Sequence, residues 1–272
     1  MGDAKSIGTF VAIGDSFTEG LSDPVPGERD VFRGWADRLA EHIAAGNPEL
    51  RYANLAVRGK LLRQIAEDQV PRAVALNPDL VTFCAGGNDI IRPGGDPDAL
   101  AVEFDDAVRK LRGTGARVVL FTGFDPQGLR SGRRIRGKAA TYNMHLRAIA
   151  DRRGCDVVDL WALMPVFNDP RAWFEDRLHL SSEGHRRLAL RVAEVLGVPA
   201  EGDWREPWPP VDASDWLTQR REDVYWARTY LLPWIGRRAT GRSSGDGRSA
   251  KRPEALPLSG RGSCDRERAH LG

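Results

Sequence analysis

Five short apolar segments that alternate with helical patterns constrain most strongly what this chain can fold into. Between them, apolar residues recur on one helical face, as at Trp35, Leu39 and Ile43. Short buried strands that alternate with helices are typical of a parallel sheet covered on both faces. We therefore predict a doubly wound α/β sandwich with a sheet of about five strands. The strands are predicted at residues 10–13, 51–57, 80–85, 118–122 and 156–160.

The composition divides the chain into three parts. With 41% hydrophobic and 29% charged residues, the chain is typical of a soluble globular protein, and we assign residues 1–200 to the α/β domain. Residues 201–236 form a Trp-rich connector and a helical extension, with a helix predicted from residue 213 up to Pro233. Residues 237–272 carry nine Lys or Arg against four Asp or Glu and few apolar residues, so we predict a disordered basic tail there.

The aromatic residues of the extension allow two interpretations. Five of the eight tryptophans lie between Trp204 and Trp234. In the simpler interpretation they pack back onto the domain. In the alternative, the helix presents Arg and aromatic faces to a membrane surface or a partner. The basic tail carries no motif for specific nucleic-acid recognition, and the sequence does not determine the oligomeric state.

The cysteines and the N-terminus indicate the compartment. Cys84, Cys155 and Cys264 show neither paired spacing nor a metal-ligand pattern, which favours reduced thiols. The N-terminus leads into the first strand without an apolar signal region, and no segment approaches membrane-spanning length. We therefore expect a cytoplasmic protein.

Several chemically capable residues follow predicted strands or precede the last helix. Ser16 comes directly after the first strand, Gly59 after the second and Asn88 after the third, while Asp176 and His179 precede the last helix. Ligands of open parallel sheets bind at the carboxyl ends of the strands. Each residue alone has an ordinary interpretation as part of a turn or helix cap, so their combination carries the inference.

Together these residues provide the parts that acyl transfer requires. A serine hydroxyl such as that of Ser16 needs a base within hydrogen-bond reach, and His179 is suited to this near neutral pH. Asp176, three residues earlier, can orient the imidazole. The backbone N–H groups of Ser16 and Gly59 and the side-chain amide of Asn88 could form an oxyanion hole. A glycine at position 59 would let the backbone approach closely.

This pattern resembles the GDSL or SGNH hydrolase family. The matching blocks are Gly14-Asp15-Ser16, Gly59, Gly87-Asn88-Asp89 and Asp176-x-x-His179. The resemblance spans roughly residues 10–197, and Phe17 replaces the leucine of the name-giving motif. It implies a three-layer α/β/α sandwich with a flavodoxin-like sheet and no metal or organic cofactor. It also implies Ser16 as nucleophile, His179 as base, Asp176 as its orienting carboxylate, and Gly59 and Asn88 as oxyanion donors.

Four neighbouring residues receive structural interpretations. Asp15 and Asp89 are predicted to accept backbone N–H groups in turns. His185 is interpreted as a residue on a helix face. Cys84 lies within the third strand and is interpreted as a small buried hydrophobe rather than a second nucleophile.

The substrate is indicated only in outline. We predict a serine esterase for small acyl esters, with acyltransferase, thioesterase or lysophospholipase activity as alternatives of the same chemistry. A non-enzymatic, flavodoxin-like phosphate-binding module is the alternative of another class. Residues 125–138 form a predicted basic loop in which Arg130, Arg133 and Arg134 are candidate contacts for an anionic part of the substrate. A solvated basic loop is the alternative.

Overall fold

The computed structural model describes residues 6–28, 30–126, 132–210, 216–240 and 243–258, with the backbone alone at 132–134, 216–219, 235 and 237–239. Its strands are β1 (Thr9–Gly14), β2 (Arg51–Asn54), β3 (Leu80–Cys84), β4 (Arg117–Phe121), β5 (Asp156–Val158) and β6 (Arg252–Pro257). They form one sheet in the order β5-β4-β3-β1-β2-β6. The first five are the predicted strands and run parallel, while β6 is antiparallel to β2. The predicted α/β fold with a flavodoxin-like sheet is confirmed.

Alternate residues of β1 face opposite sides of the sheet. Val11 and Ile13 belong to one apolar cluster, and Phe10 and Ala12 belong to the other. A strand with both faces buried has no polar side, which is why this segment is apolar throughout. β1 lies between β2 and β3, so its carboxyl end opens at the centre of the sheet edge.

Helices cover both faces of the sheet. They are α1 (Ser16–Glu19), α2 (Gly34–Gly46), α3 (Leu62–Gln64), α4 (Val70–Ala75), α5 (Gly87–Ile90), α6 (Pro97–Arg112), α7 (Gly132–Arg153), α8 (Met164–Phe167), α9 (Ser182–Leu196), α10 (Trp216–Trp226) and α11 (Leu232–Ala239). Helices α2 and α9 pack on the face of Phe10, and α3, α4, α6 and α7 pack on the face of Val11. None of the helices in the described ranges has the length and apolar character needed to cross a membrane.

Two prolines lie inside continuous helical segments instead of interrupting them. A π turn precedes each one, Ile65–Gln69 before Pro71 and Ala227–Leu231 before Pro233. A π turn widens the helix locally, which makes room for a proline ring that would otherwise meet the carbonyl four residues earlier. The C-terminal helical segment therefore continues past Pro233, where the helix is predicted to end, as far as Ala239.

Helix α7 begins earlier than predicted. A basic loop is predicted through residue 138, but the helix begins at Gly132. Arg136 pairs with Asp125 at 2.8 Å, and the Lys138 ammonium donates to the Gly95 carbonyl at 2.7 Å. Two of the five basic residues in this segment therefore have structural partners.

The prediction of a disordered tail is wrong for residues 243–258. This segment lies on the domain, and β6 pairs with β2 as a sixth, antiparallel strand. Ala255 of β6 is buried and joins the core cluster of Val11. The prediction is also wrong for residues 237–239, which belong to the helix Leu232–Ala239. Residues 241–242 and those from 259 onward lie outside the described residues.

A single ammonium group connects this C-terminal segment to the start of the chain. Lys251 Nζ donates to the carbonyls of Glu19 at 2.5 Å, Phe32 at 2.8 Å and Arg33 at 3.0 Å, and it pairs with the Asp37 carboxylate. Two of these carbonyls lie at the end of α1 and just before α2. Lys251 thus satisfies the Glu19 carbonyl, which the end of α1 leaves without a partner in the helix, and it ties this carbonyl to the start of α2.

The Trp-rich connector packs on the domain, as the simpler interpretation predicts. Trp208 Nε1 donates to the Val166 carbonyl at 2.9 Å, and the Arg187 guanidinium lies 4.0 Å from the Trp208 ring centroid. Trp204 Nε1 donates to Glu194 Oε2 at 2.7 Å. Both indoles pack against the apolar cluster of α2 and α9, so they extend the core of the domain.

Replacing Lys251 with Met should lower the free energy of unfolding by about 3 kcal/mol, because the mostly buried Asp37 carboxylate loses the cation beside it. Urea unfolding measures this loss. Arg248→Met is the control, since Arg248 pairs with Asp30 at 2.9 Å on the surface, where ion pairs contribute little. Equal losses in the two variants would show that Lys251 does not hold the C-terminal segment in place.

Candidate active site

Ser16 is the first residue of α1, directly beyond the carboxyl end of β1. Asp15 caps this helix: its Oδ1 accepts the Phe17 N–H at 3.0 Å, and its carbonyl accepts the N–H groups of Thr18 and Glu19. The Ser16 N–H has no acceptor among the described residues. It is one of the N–H groups that a helix start leaves without a partner in the helix, and it is available to a bound anion.

His179 lies between Ser16 and Asp176. Its Nε2 is 2.9 Å from Ser16 Oγ, and its Nδ1 is 2.6 Å from Asp176 Oδ2. The structure thus brings together the three residues predicted as a triad, although 163 positions separate Ser16 from His179. These contacts are those of a nucleophile, a base and a carboxylate that orients the base.

The Asp176 carboxylate is held by its own turn. Oδ1 accepts the N–H groups of Leu178 and His179, both at 2.9 Å. Burial alone would raise the pKa of Asp176, but the hydrogen bonds from His179 and Leu178 outweigh it and lower the pKa below its usual value. An ionised carboxylate at this position favours the imidazole tautomer with the proton on Nδ1, which leaves Nε2 to accept the proton of Ser16.

A buried ion pair fixes the backbone next to Gly59. The Arg58 N–H donates to Glu19 Oε2 at 2.7 Å, and the Arg58 guanidinium donates to Glu19 Oε1 at 2.5 Å. Glu19 belongs to α1, so the pair joins the loop of Gly59 to the helix that begins at Ser16. Like the Ser16 N–H, the Gly59 N–H finds no acceptor within the described ranges.

Gly59 also makes room for the C-terminal segment. Its φ of 75° is in the left-handed region, and a Cβ at this position would lie 2.1 Å from Ser243 Oγ. A Cβ at Gly245 would lie 1.9 Å from the Arg58 carbonyl oxygen. Glycine at 59 is therefore needed for the contact with Ser243 as well as for the backbone turn. Only the second of these reasons is predictable from the sequence.

Asn88 lies in α5, where the chain turns after β3. Gly86 permits the turn, since its φ is 93° and a Cβ there would lie 2.4 Å from the Tyr142 hydroxyl. Asn88 Nδ2 donates to Asp15 Oδ2 at 3.0 Å and to the Lys60 carbonyl at 3.1 Å. Both amide protons of Asn88 thus have acceptors in this structure. To donate to an oxyanion, Asn88 must share one of these protons between its present acceptor and the oxyanion.

The predicted roles of Asp15 and Asp89 as acceptors of backbone N–H groups are confirmed. Asp15 accepts the Phe17 N–H, and Asp89 Oδ2 accepts the Leu62 N–H at 3.0 Å at the start of α3. Burial raises the pKa of Asp15 to about 6, although the Phe17 N–H, His179 and Asn88 act in the opposite direction. Asp15 is thus a second titrating group beside the triad.

His185 and Cys84 are structural in this fold. The fully buried His185 accepts the Trp35 N–H at Nδ1 (3.2 Å) and donates from Nε2 to the Leu21 carbonyl (3.1 Å), and burial lowers its pKa to about 4. Burial also raises the pKa of the Cys84 thiol, which opposes formation of a nucleophilic thiolate. In the described part of the chain, no cluster of three or more His, Cys, Asp or Glu side chains could hold a metal ion.

The three arginines predicted to contact an anionic substrate are not tested by the described contacts. Arg130 lies outside the described residues. Arg133 and Arg134 belong to the first turn of α7, where the backbone alone is described. Their contact with substrate stays a prediction.

Sequence reasoning missed two contacts behind the nucleophile. Gln69 Oε1 accepts the Gly14 N–H at 2.8 Å and its Nε2 donates to the Gly14 carbonyl at 2.9 Å, which fixes the residue two positions before Ser16. A polar residue on the same helical face as Ile65 and Ala73 is the signal that could have identified it. The other missed contact is the pair of Glu19 and Arg58, for which the sequence holds no comparable signal.

The order and spacing of these residues match a known family. A model of the GDSL-like Lipase/Acylhydrolase family matches residues 12–187, more than half of the chain. The chain belongs to this family. As a GDSL-like hydrolase it is a carboxylic ester hydrolase, and the alternative of a non-enzymatic phosphate-binding module is excluded. The match contains the five positions predicted for the triad and the oxyanion hole, and it ends before the Trp-rich connector.

Named relatives and solved structures agree with the family. "GDSL esterase/lipase CPRD49" of Arabidopsis thaliana is 24% identical over 197 residues, which cover 63% of this chain and 73% of that protein. LAE5, an alpha/beta hydrolase enzyme from the metagenome of Lake Arreo in Spain, has a TM-score of 0.60 at 24% identity, over 70% of this chain and 95% of LAE5. Axe2, an acetylxylan esterase from Geobacillus stearothermophilus, has a TM-score of 0.58 at 22% identity, over 73% and 97%. These two structures share the fold of this GDSL-like hydrolase.

Gly59→Ala should lower the free energy of unfolding by about 2 kcal/mol, from left-handed strain and from the collision with Ser243. In a Ser243→Gly background the collision is removed, so the loss caused by Gly59→Ala should fall to about 1 kcal/mol. Thermal or urea unfolding of the four proteins in this double-mutant cycle measures the coupling. Purely additive effects would show that Ser243 does not pack on Gly59.

The raised pKa of Asp15 should make part of the stability depend on pH. Because the folded pKa of about 6 exceeds the ordinary value of 3.8, the folded protein binds more protons between these values, and stability falls as pH rises through this window. The contribution lost between pH 4.5 and 6.5 is about 2 kcal/mol. Asp15→Asn should lack this pH-dependent contribution. The unfolding free energy of the variant, measured relative to that of the wild type, should therefore rise by about 2 kcal/mol from pH 4.5 to 6.5.

Urea unfolding at both pH values gives this change. Asp176→Asn is the control, because the stabilisation by a carboxylate whose pKa is lowered below 3.8 is lost only at pH values below this window. The difference between this variant and the wild type should therefore stay nearly constant between pH 4.5 and 6.5. A difference between Asp15→Asn and wild type that does not vary with pH would contradict the raised pKa of Asp15.

Proposed function

We propose that this GDSL-like hydrolase is a serine esterase that cleaves small acyl esters through an acyl-enzyme. Ser16 is the nucleophile, His179 the general base and Asp176 the carboxylate that orients it. The observation that carries the proposal is the pair of contacts made by His179, 2.9 Å from Nε2 to Ser16 Oγ and 2.6 Å from Nδ1 to Asp176 Oδ2. A serine without such a base is a poor nucleophile at neutral pH.

The reaction proceeds in two acyl transfers. Ser16 Oγ adds to the ester carbonyl carbon while His179 Nε2 accepts the hydroxyl proton, and Asp176 stabilises the imidazolium. The tetrahedral intermediate collapses, the bond to the alkoxy oxygen breaks, and that oxygen takes the proton from Nε2 as the alcohol leaves. A water molecule then adds to the acyl-enzyme with His179 as base, and the acid is released as Ser16 regains its proton.

Backbone N–H groups are the main support for an oxyanion hole. The N–H groups of Ser16 and Gly59 have no acceptor among the described residues and lie on segments joined by the pair of Glu19 and Arg58. Donors that are fixed before the reaction stabilise developing charge without reorganisation. Asn88 is the third donor in the proposal, and it shares one of the protons that it gives to Asp15 and the Lys60 carbonyl.

The proposed substrate class is that of short acyl esters. Axe2, which shares the fold, is named as an acetylxylan esterase, and this name favours acetyl esters as the first compounds to assay. Arg130, Arg133 and Arg134 are the proposed contacts for an anionic portion of the substrate. An acyltransferase or thioesterase would form the same acyl-enzyme and differ in the leaving group or acceptor.

Ser16→Ala should reduce turnover of a chromogenic acetate ester by at least about a thousandfold, because the nucleophile is removed. The same variant should fail to react with a fluorophosphonate, which labels activated serines. Ser182→Ala is the matched control, since Ser182 is an exposed residue of α9. Turnover and labelling of Ser16→Ala at the level of the control would overturn the assignment of the nucleophile.

A further inference from the structure

The turn that holds Asp176 and His179 contains a conformation that needs support. Arg177, between them, has a φ of 57°, and the left-handed region costs a side-chain-bearing residue about 1–2 kcal/mol. Within the turn, the Phe174 N–H donates to the His179 carbonyl at 2.8 Å and the Arg177 N–H to the Phe174 carbonyl at 2.9 Å. These bonds close the turn on its inner side.

The outer side of this turn contacts the C-terminal helical segment. Trp226 Nε1, at the end of α10, donates to the Asp176 carbonyl oxygen at 2.8 Å. The Arg177 guanidinium lies 5.2 Å from the centroid of the Trp226 ring and pairs with Asp223 at 2.6 Å. One face of the helical segment therefore contacts both the carbonyl of Asp176 and the side chain of Arg177.

A second contact extends the same interface along the π turn that follows α10. The Tyr230 hydroxyl donates to Glu175 Oε2 at 3.0 Å, and the Tyr230 ring meets Phe174 edge to face at 6.4 Å between centroids. Asp223, Trp226 and Tyr230 are spaced three and four residues apart, which places them on one face of the helical segment. This face lies outside residues 12–187, to which the family model is matched.

The hydrogen bond from Trp226 to the Asp176 carbonyl acts on the geometry of the triad through the peptide plane between Asp176 and Arg177. The Asp176 carbonyl belongs to the peptide that leads into Arg177, so a donor fixed on its oxygen limits rotation of that plane. The plane determines the direction of the Asp176 Cα–Cβ bond, and hence where Oδ2 stands relative to His179 Nδ1. A small displacement of an orienting group is enough to reduce catalysis.

We propose that Trp226 is a positioning residue of the catalytic turn, and that docking of α10 on residues 174–177 completes the active site. This proposal rests on the proposed function, because it assigns Trp226 a role through the Asp176–His179 pair. The helical extension is then part of the catalytic machinery of this chain, and its alternative role as a membrane or partner helix is not needed to explain the face that contacts the turn.

The test is Trp226→Phe in the full-length chain, which removes the N–H donor and keeps an aromatic ring under Arg177. The kcat for an acetate ester should fall about three- to tenfold, as expected for one lost hydrogen bond, while KM stays within about twofold. The acidic limb of the pH profile of kcat/KM should move to lower pH, because a misplaced Asp176 stabilises the protonated imidazole less.

Trp204→Phe is the matched control, since it removes an indole N–H bond of 2.7 Å to Glu194 at a distance from the site. It should match the wild type in kcat and in pH profile, even where both variants lose similar thermal stability. Arg177→Asn is a second variant, because asparagine tolerates the left-handed conformation but lacks the guanidinium that meets Trp226 and Asp223. It should lower kcat in the same direction as Trp226→Phe.

The outcomes separate the two proposals. Wild-type kcat and pH profile in both Trp226→Phe and Arg177→Asn, with Ser16→Ala inactive, would overturn the positioning role and leave the serine esterase standing. Retained turnover in Ser16→Ala would overturn the esterase assignment itself. A fall in kcat equal in Trp204→Phe and Trp226→Phe would show a general effect of indole loss and would also overturn the positioning role.

Discussion

The 2.9 Å contact between His179 and Ser16 depends on packing behind the triad that joins the two ends of the domain. His185, in the helix that follows His179, accepts the Trp35 N–H and donates to the Leu21 carbonyl. The Trp35 indole in turn donates to the carbonyl of Phe17, the neighbour of Ser16, at 2.9 Å. Because Trp35 and His185 are fully buried, loss of these bonds would leave polar groups unpaired, and this favours one register of α2 and α9 relative to the nucleophile.

The C-terminal third of the chain supports the other sides of the same site. Lys251 binds the carbonyl at the end of α1, Ser243 rests on Gly59, and Trp226 donates to Asp176. All three lie beyond residue 187, where the family match ends. The part of the chain that the family model matches thus contains the proposed triad, and the C-terminal part contacts the elements that carry Ser16, Gly59 and Asp176. If the proposed triad is correct, changes in these C-terminal contacts should affect catalysis as well as stability.

The sequence predicted the parts of the structure that local patterns encode. Short apolar runs such as that of β1 and helical stripes such as that of α2 predicted the α/β class. Residue types after the first strand and before the last helix predicted the triad. The strand β6 escaped prediction because only Ala255 of its six residues is buried, so no apolar alternation marks it. Trp226 was recognised only as one aromatic residue among several, since its partner is a backbone carbonyl that carries no sequence signal. Long-range contacts to backbone atoms are set by the fold and leave no pattern in the sequence.

The pair of Glu19 and Arg58 shows why a site of this kind retains buried charge. Two apolar side chains of similar volume could stabilise the fold as well, because taking both charges out of water is costly. They could not, however, accept the Arg58 N–H, which Glu19 Oε2 does at 2.7 Å. That bond fixes the peptide immediately before Gly59, and the left-handed φ of Gly59 then determines how the chain leaves it. The ion pair therefore fixes the orientation of the backbone at the proposed oxyanion hole. Hydrophobic packing is non-directional and would not fix that orientation.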